Sequence, residues 1–207
     1  MKKHTQIFAT FLLLFAYLSP LKASTSIAVD ACKKLFDTGE SVQALAPCTQ
    51  AANNNDRAAQ TTLGEIYDEK GDTVNSALWW NKAAEAGYQP ARNLLALKYY
   101  YGGTVFGPEK GWEKNFKKAF SIWHKDAKTG IATSQFMVGV MYQKGEGVDK
   151  NQAESWYWLQ LALGNGYKIA TDVLIELSRE ITPEQKRLGE QKVAAYKKEQ
   201  SDLQLTH

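Results

Sequence analysis

The chain has 207 residues, 44% hydrophobic, 12% aromatic and 23% charged. That balance excludes a disordered tail, a collagen-like rod and a polytopic membrane protein. Lys2, Lys3 and Lys22 account for the whole formal charge of +3, so the rest of the chain is neutral and lacks the basic footprint of a nucleic-acid binder.

Residues 1–23 read as an export signal. Met1-Lys2-Lys3-His4 is a basic start, Ile7 to Leu18 carries no charge, and Ser19-Pro20 stops the helix before Leu21-Lys22-Ala23. Cleavage is expected after Ala23. The apolar run is shorter than the roughly 20 residues needed to span a bilayer. Its removal leaves no stable membrane insertion. No cysteine stands at the cleavage point, which argues against a lipid anchor. The expected compartment is the periplasm or the medium. Two cysteines in an oxidising compartment, Cys32 and Cys48, imply one disulfide. Two thiols without neighbouring histidines are too few for a zinc site.

From residue 24 onward the chain repeats itself. Gly87, Gly130 and Gly166 each end an aromatic-bearing stretch, and each is followed four residues later by Ala91, Ser134 or Ala170. Leu95-Ala96, Val138-Gly139 and Leu174-Ile175 come next. Asn55 plays the same part earlier, ahead of Ala59 and Leu63-Gly64, because Asn tolerates the left-handed conformation that usually selects Gly. Tyr67, Tyr99 and Tyr142 follow the small residues by three, and a Gly soon breaks each helix. Trp79-Trp80, Trp123 and Trp158 mark the second helix of each unit. The unit is therefore helix A, turn, helix B. Small residues on helix A admit the aromatics of helix B, and one pair cannot bury its apolar face alone, so pairs must stack. The predicted fold is all-α, an α-solenoid of stacked antiparallel helix pairs. The expected units are 24–55, 56–87, 88–130 and 131–166, then a partial unit to 178. A shift of 32 residues lays Cys32 on Gly64 and Cys48 on Trp80, so the disulfide would staple the first helix pair.

These residues resemble the Sel-one-like repeat, a relative of the tetratricopeptide repeat. The third unit carries the pattern most fully, in Ser134-Gln135, Val138-Gly139, Tyr142, Gly145-Glu146-Gly147-Val148, Trp158, Leu161-Ala162 and Gly166. The resemblance spans roughly residues 30–178. It implies a secreted bacterial member with a disulfide in the first repeat, a protein or peptide as partner, and a role in envelope assembly or virulence.

Unit lengths are uneven. The turn after Gly102 runs to about Asn115 and holds Phe106 and Trp112, which no repeat position demands. Long loops carry function disproportionately, and Trp is common at binding hot spots. Phe106 and Trp112, with Tyr100 and Tyr101 before them, are the candidate partner-binding residues. The alternative is that the rings fold back over their own unit. Further on, Thr182-Pro183-Glu184-Gln185 opens a capping helix, placed at 179–200, before a flexible tail at 201–207.

Catalytic patterns are scarce. His124 sits beside Trp123 on a predicted helix, and His207 is terminal. Some cysteine-rich secreted relatives are described as penicillin-binding proteins or β-lactamases. Serine enzymes of that kind need Ser-x-x-Lys, found here only at Ser19–Lys22 inside the expected signal. Lys128-Thr129-Gly130 spells a second motif of those enzymes but also suits a helix end. The expectation is a non-enzymatic adaptor with no cofactor, no metal and no nucleic acid. Binding of a cell-wall fragment and a β-lactamase-like hydrolase stay as alternatives.

Overall fold

The computed structural model describes residues 26–103 and 112–204. The expected signal at 1–23, Phe106 and residues 205–207 lie outside them. Ten helices form the described chain, and it contains no strand among those residues. They are α1 (26–37), α2 (Ser41–Asn53), α3 (Arg57–Glu69), α4 (Thr73–Glu85), α5 (Gln89–Tyr101), α6 (Phe116–Ala127), α7 (Ala132–Lys144), α8 (Gln152–Gly164), α9 (Ala170–Glu180) and α10 (Pro183–Gln204). Among the described residues, no helix is long and apolar enough to cross a membrane. The chain is an α-solenoid repeat protein of antiparallel helix pairs, and its described residues divide into two compact units that part within α5, after Ala91.

Helix ends follow from local chemistry. Asp72, Asn115 and Asn151 cap α4, α6 and α8 by accepting the N–H groups of Asn75, Lys118 and Glu154. The residues expected to turn the chain do so at positive φ: Asn55 at 64°, Gly87 at 85°, Gly130 at 88° and Gly166 at 90°.

A second constant fixes where helix B begins. Three residues past the small position, a helix A carbonyl accepts the N–H of the residue preceding helix B. The pairs are Leu35–Glu40 (2.8 Å), Tyr67–Asp72 (2.9 Å), Tyr99–Asn115 (2.6 Å) and Tyr142–Asn151 (3.0 Å). The number of residues between the partners varies widely, yet the hydrogen bond persists. Turn length is therefore free, whereas the spacing of the two helices is not.

In the first unit, Ala28, Cys32, Ala44, Cys48, Leu63 and Ile66 form one buried cluster. Cys32 and Cys48 are joined in a disulfide, with Cα atoms 4.6 Å apart. Closing a loop of this length stabilises a fold by about 3 kcal/mol in the chain-entropy model. One helix pair further on, Trp80 covers Gly64 and donates its indole N–H to the Thr61 carbonyl at 3.0 Å.

In the second unit, Trp123 donates its indole N–H to Asn93 Oδ1 at 2.9 Å. Gly139 is covered by Leu159, whose Cγ would stand 2.7 Å from an added Cβ. Leu159, not Trp158, is thus the counterpart of Trp80, because it lies seven residues before the turn glycine as Trp80 does. Trp158 instead packs edge-on against His124 on α6, with ring centroids 5.6 Å apart.

The helix α10 begins with the expected reciprocal cap between Thr182 and Gln185 and runs to Gln204, four residues beyond the predicted end. It lies along α8. Gly189 meets the Ala153 carbonyl and the Trp156 ring, Lys192 pairs with Glu154, and Tyr196 sits edge-on to Tyr157 at 6.4 Å. With α7, α9 and α10 around it, α8 buries Trp156, Trp158, Leu159, Leu161 and Ala162 on more than one face. The C-terminal helix therefore caps α8.

Candidate partner-binding surface

The helices α5 and α6 form the pair with the longest connection. Near the start of α5, Arg92 Nε meets Asp126 Oδ1 at 2.8 Å and Asn93 receives the Trp123 indole N–H. At its end, Tyr99 accepts the Asn115 N–H. The pair is thus tied near both of its ends. Gly103 donates its N–H to the Trp112 carbonyl at 3.0 Å, which draws the two arms of the connection together at its base. Gly102 allows this approach: it has φ 68°, and a Cβ there would stand 3.0 Å from the Trp112 carbonyl oxygen.

The structure separates the sequence-predicted residues by exposure. Tyr101 is 62% exposed. Trp112 is half-buried, edge-on to Tyr99 with centroids 5.6 Å apart. Lys118 Nζ stands 4.9 Å from the centre of the same Tyr99 ring. Trp112 therefore folds partly onto its own repeat while keeping an outward edge. Tyr100 is only 6% exposed, and its ring packs against Tyr101, Phe116 and Trp123. Its hydroxyl donates to Glu146 Oε2 at 2.5 Å. Burial, then that carboxylate, pushes the phenol well above its ordinary pKa, so it remains a proton donor. Tyr100 belongs to the scaffold beneath the surface, and Phe106 lies outside the described residues.

Glu146 was not singled out by sequence reasoning, although Gly145-Glu146-Gly147 was read as a repeat element. Its role rests on the close passage of two turns. A Cβ at Gly147 would stand 2.3 Å from the Phe116 carbonyl oxygen, so glycine lets this turn lie on the start of α6. That approach brings Glu146 to Tyr100. The sequence signal is the second glycine, which marks close backbone contact but not its partner.

The residues that resembled catalytic elements have structural places. Lys128-Thr129-Gly130 closes α6: Thr129 Oγ1 and N both donate to the Asp126 carbonyl, and Gly130 turns the chain. His124 stacks on Phe120 at 5.1 Å. Burial, then Lys128, holds the imidazole below its usual pKa, with Glu154 opposing. Ser19 and Lys22 lie outside the described residues.

Comparisons with known proteins agree with the repeat fold. The Sel1 repeat family model matches residues 59–88 and 132–167. A crystal structure of a protective antigen from uropathogenic Escherichia coli with an SLR fold superposes at a TM-score of 0.67. It is 25% identical, over 87% of this chain and 38% of that one. A Sel1 repeat protein from Oxalobacter formigenes superposes at 0.56 with 26% identity, over 67% of this chain and 56% of its own. The chain is 32% identical over 130 residues to the chitin synthase regulator SKT5 of Saccharomyces cerevisiae, covering 60% of this chain and 18% of SKT5. It is 32% identical over 91 residues to HRD3B of Arabidopsis thaliana, an ERAD-associated E3 ubiquitin-protein ligase component, covering 43% of this chain and 14% of HRD3B. The chain spans less than a fifth of the length of these curated relatives.

Proposed function

Since the chain belongs to the Sel1-like repeat family, we propose that it is a non-enzymatic adaptor, exported to the periplasm or beyond, that holds a protein partner. The names of its matched relatives, a regulator of a synthase and a component of a ligase, describe proteins that act through other proteins. The three-part layout of residues 1–23 and the Cys32–Cys48 disulfide favour export. A role in envelope assembly or virulence follows the same resemblance.

One observation carries the adaptor reading. The α5–α6 pair is tied near both ends, and beside its long connection stand the exposed Tyr101 and the half-buried Trp112. An aromatic pair beside a long connection suits a binding surface.

The test is photo-crosslinking in the native compartment from position 101 and from position 112, with Glu176 on α9 as the control site. One protein should be trapped from both positions and not from the control. Tyr101→Ala with Trp112→Ala should weaken its capture by more than about fivefold, the equivalent of 1 kcal/mol, without loss of helicity. Substrate turnover by the purified chain, or retention of labelled penicillin with no protein trapped, would overturn the reading.

A further inference from the structure

The chain contains a single Asn-Gly pair, Asn165-Gly166. Asparagine before glycine is open to attack by its own backbone: the nitrogen of the next residue can reach the side-chain carbon Cγ, and glycine has no Cβ to obstruct it. The pair forms the turn between α8 and α9, where both residues are exposed and water has access to them. The corresponding turns use Ala86-Gly87 and Thr129-Gly130, which carry no carboxamide. In the earliest turn Asn54 precedes Asn55, whose side chain hinders the attack.

The fold holds the reacting groups apart. Gly166 donates its N–H to the Leu163 carbonyl at 3.0 Å. The Asn165 carboxamide donates to Gln135 Oε1 at 2.8 Å, with the Gly130 carbonyl oxygen 3.4 Å away. Gln135 is fully buried, and its own Nε2 donates to the Ala127 carbonyl at 3.1 Å. Turning the Gln135 amide over would break that bond, so Oε1 stays aimed at Asn165 as an acceptor.

We propose that Asn165 is a deamidation site guarded by Gln135, and that its conversion loosens the last full repeat. Local opening at the end of α8 frees both groups. The Gly166 nitrogen then gives its proton to solvent base and bonds to Asn165 Cγ. The Cγ–Nδ2 bond breaks, ammonia leaves and a cyclic succinimide remains. Water adds to either ring carbonyl and opens the ring to aspartate or isoaspartate. Nothing is oxidised or reduced, and water is the co-reactant. The new carboxylate faces Gln135 Oε1 and the Gly130 carbonyl, both acceptors, and leaves the buried Gln135 oxygen without its donor. It also sets a negative charge at the C-terminal end of α8, where the helix dipole opposes it. The change is not reversed by solvent, so it accumulates with the age of the chain. It stands independently of the adaptor reading.

The experiment incubates the purified chain, disulfide intact, in mildly alkaline buffer below its melting temperature and follows each asparagine by tandem mass spectrometry. Asn165 should convert first, to a mixture of aspartate and isoaspartate. Gln135→Met keeps the bulk of the side chain but removes the acceptor, and should speed that conversion about threefold or more, whereas Gly64→Ala in the first unit should not. Asn165→Asp, the direct product, should lower the melting temperature by about 2 °C or more. In a Gln135→Met background the same substitution should cost less than half as much. Asn165 intact after other asparagines have converted, an unchanged rate in Gln135→Met, equal acceleration by Gly64→Ala, or an Asn165→Asp variant as stable as the wild type overturns the proposal.

Discussion

Trp80 lies so close over Gly64 that a Cβ added there would stand 2.5 Å from Cδ1 and Nε1 of the indole ring. The ring is 1% exposed and is held in place by its hydrogen bond to Thr61, so it has little room to retreat. Alanine is the better helix former by about 1 kcal/mol, but overpacking a tight contact costs about 1–3 kcal/mol. Gly64→Ala should therefore destabilise the protein, by up to about 2 kcal/mol, read as a lower urea midpoint with an unchanged slope. An increase in stability would show that the ring moves freely.

The disulfide occupies the same repeat position as that glycine–tryptophan contact. Cys32 and Cys48 are 2% and 0% exposed, as deeply placed as Gly64 and Trp80. Cys32→Ser with Cys48→Ser should lose about 3 kcal/mol. Cys32→Gly with Cys48→Trp should regain part of that loss, because it rebuilds the contact used one unit later. Thermal unfolding followed by circular dichroism separates the two. A melt for the Gly/Trp variant at or below that of the Ser/Ser variant would contradict the equivalence.

Two buried glutamines make the same bond in different units. Gln60 Nε2 donates to the Ala52 carbonyl and Gln135 Nε2 to the Ala127 carbonyl, both at 3.1 Å. Gln135 Oε1 accepts from Asn165 at 2.8 Å. The residue matching Asn165 in the earlier unit is Ala86, and there the Gln60 oxygen is buried with no donor. Ala86→Asn should supply one and stabilise the protein by about 1 kcal/mol, a rise of about 2–4 °C in melting temperature. Asn165→Ala should lower stability by a similar amount. Calorimetry of the two variants checks both signs.

Glu65 on α3 has its pKa pushed up to about 7, by burial first and then by Glu69 and Asp68. The folded chain thus holds this proton more tightly than the unfolded chain, whose glutamates titrate near about 4.3. The stabilisation is fully present below about pH 4 and is lost as the pH rises through about 7. Glu65→Gln should keep it throughout. The stability difference between variant and wild type should therefore grow by about 2 kcal/mol in the variant's favour between about pH 4.5 and 7.5. A difference that stays flat across that range would contradict the shift.

The helix pairs were legible in the sequence because their boundaries are set by local chemistry. Asn55 and Gly87 reach positive φ, Asp72 and Asn151 accept the N–H groups of a first helical turn, and Thr182 pairs with Gln185, all within a few residues of chain. The match of Cys32 and Cys48 to Gly64 and Trp80 was legible for a related reason: a repeat of constant length carries one contact from unit to unit. In the later unit the aromatic that marks helix B, Trp158, stands one residue before Leu159, which covers Gly139; a count of seven back from Gly166 finds Leu159 as it finds Trp80 from Gly87.

Among the candidate binding residues, sequence marked the aromatic group around the long connection but could not divide it. Successive residues of a helix point in different directions, so Tyr100 enters the core and Tyr101 leaves it. Which of them faces inward depends on Phe116, Trp123 and Glu146, all distant in sequence. The course of α10 along α8 was likewise settled by the fit of Gly189 against Trp156 and of Tyr196 against Tyr157. Local rules fix where a helix starts and stops. Only packing between surfaces far apart in the chain decides which face each helix buries and which it leaves for a partner.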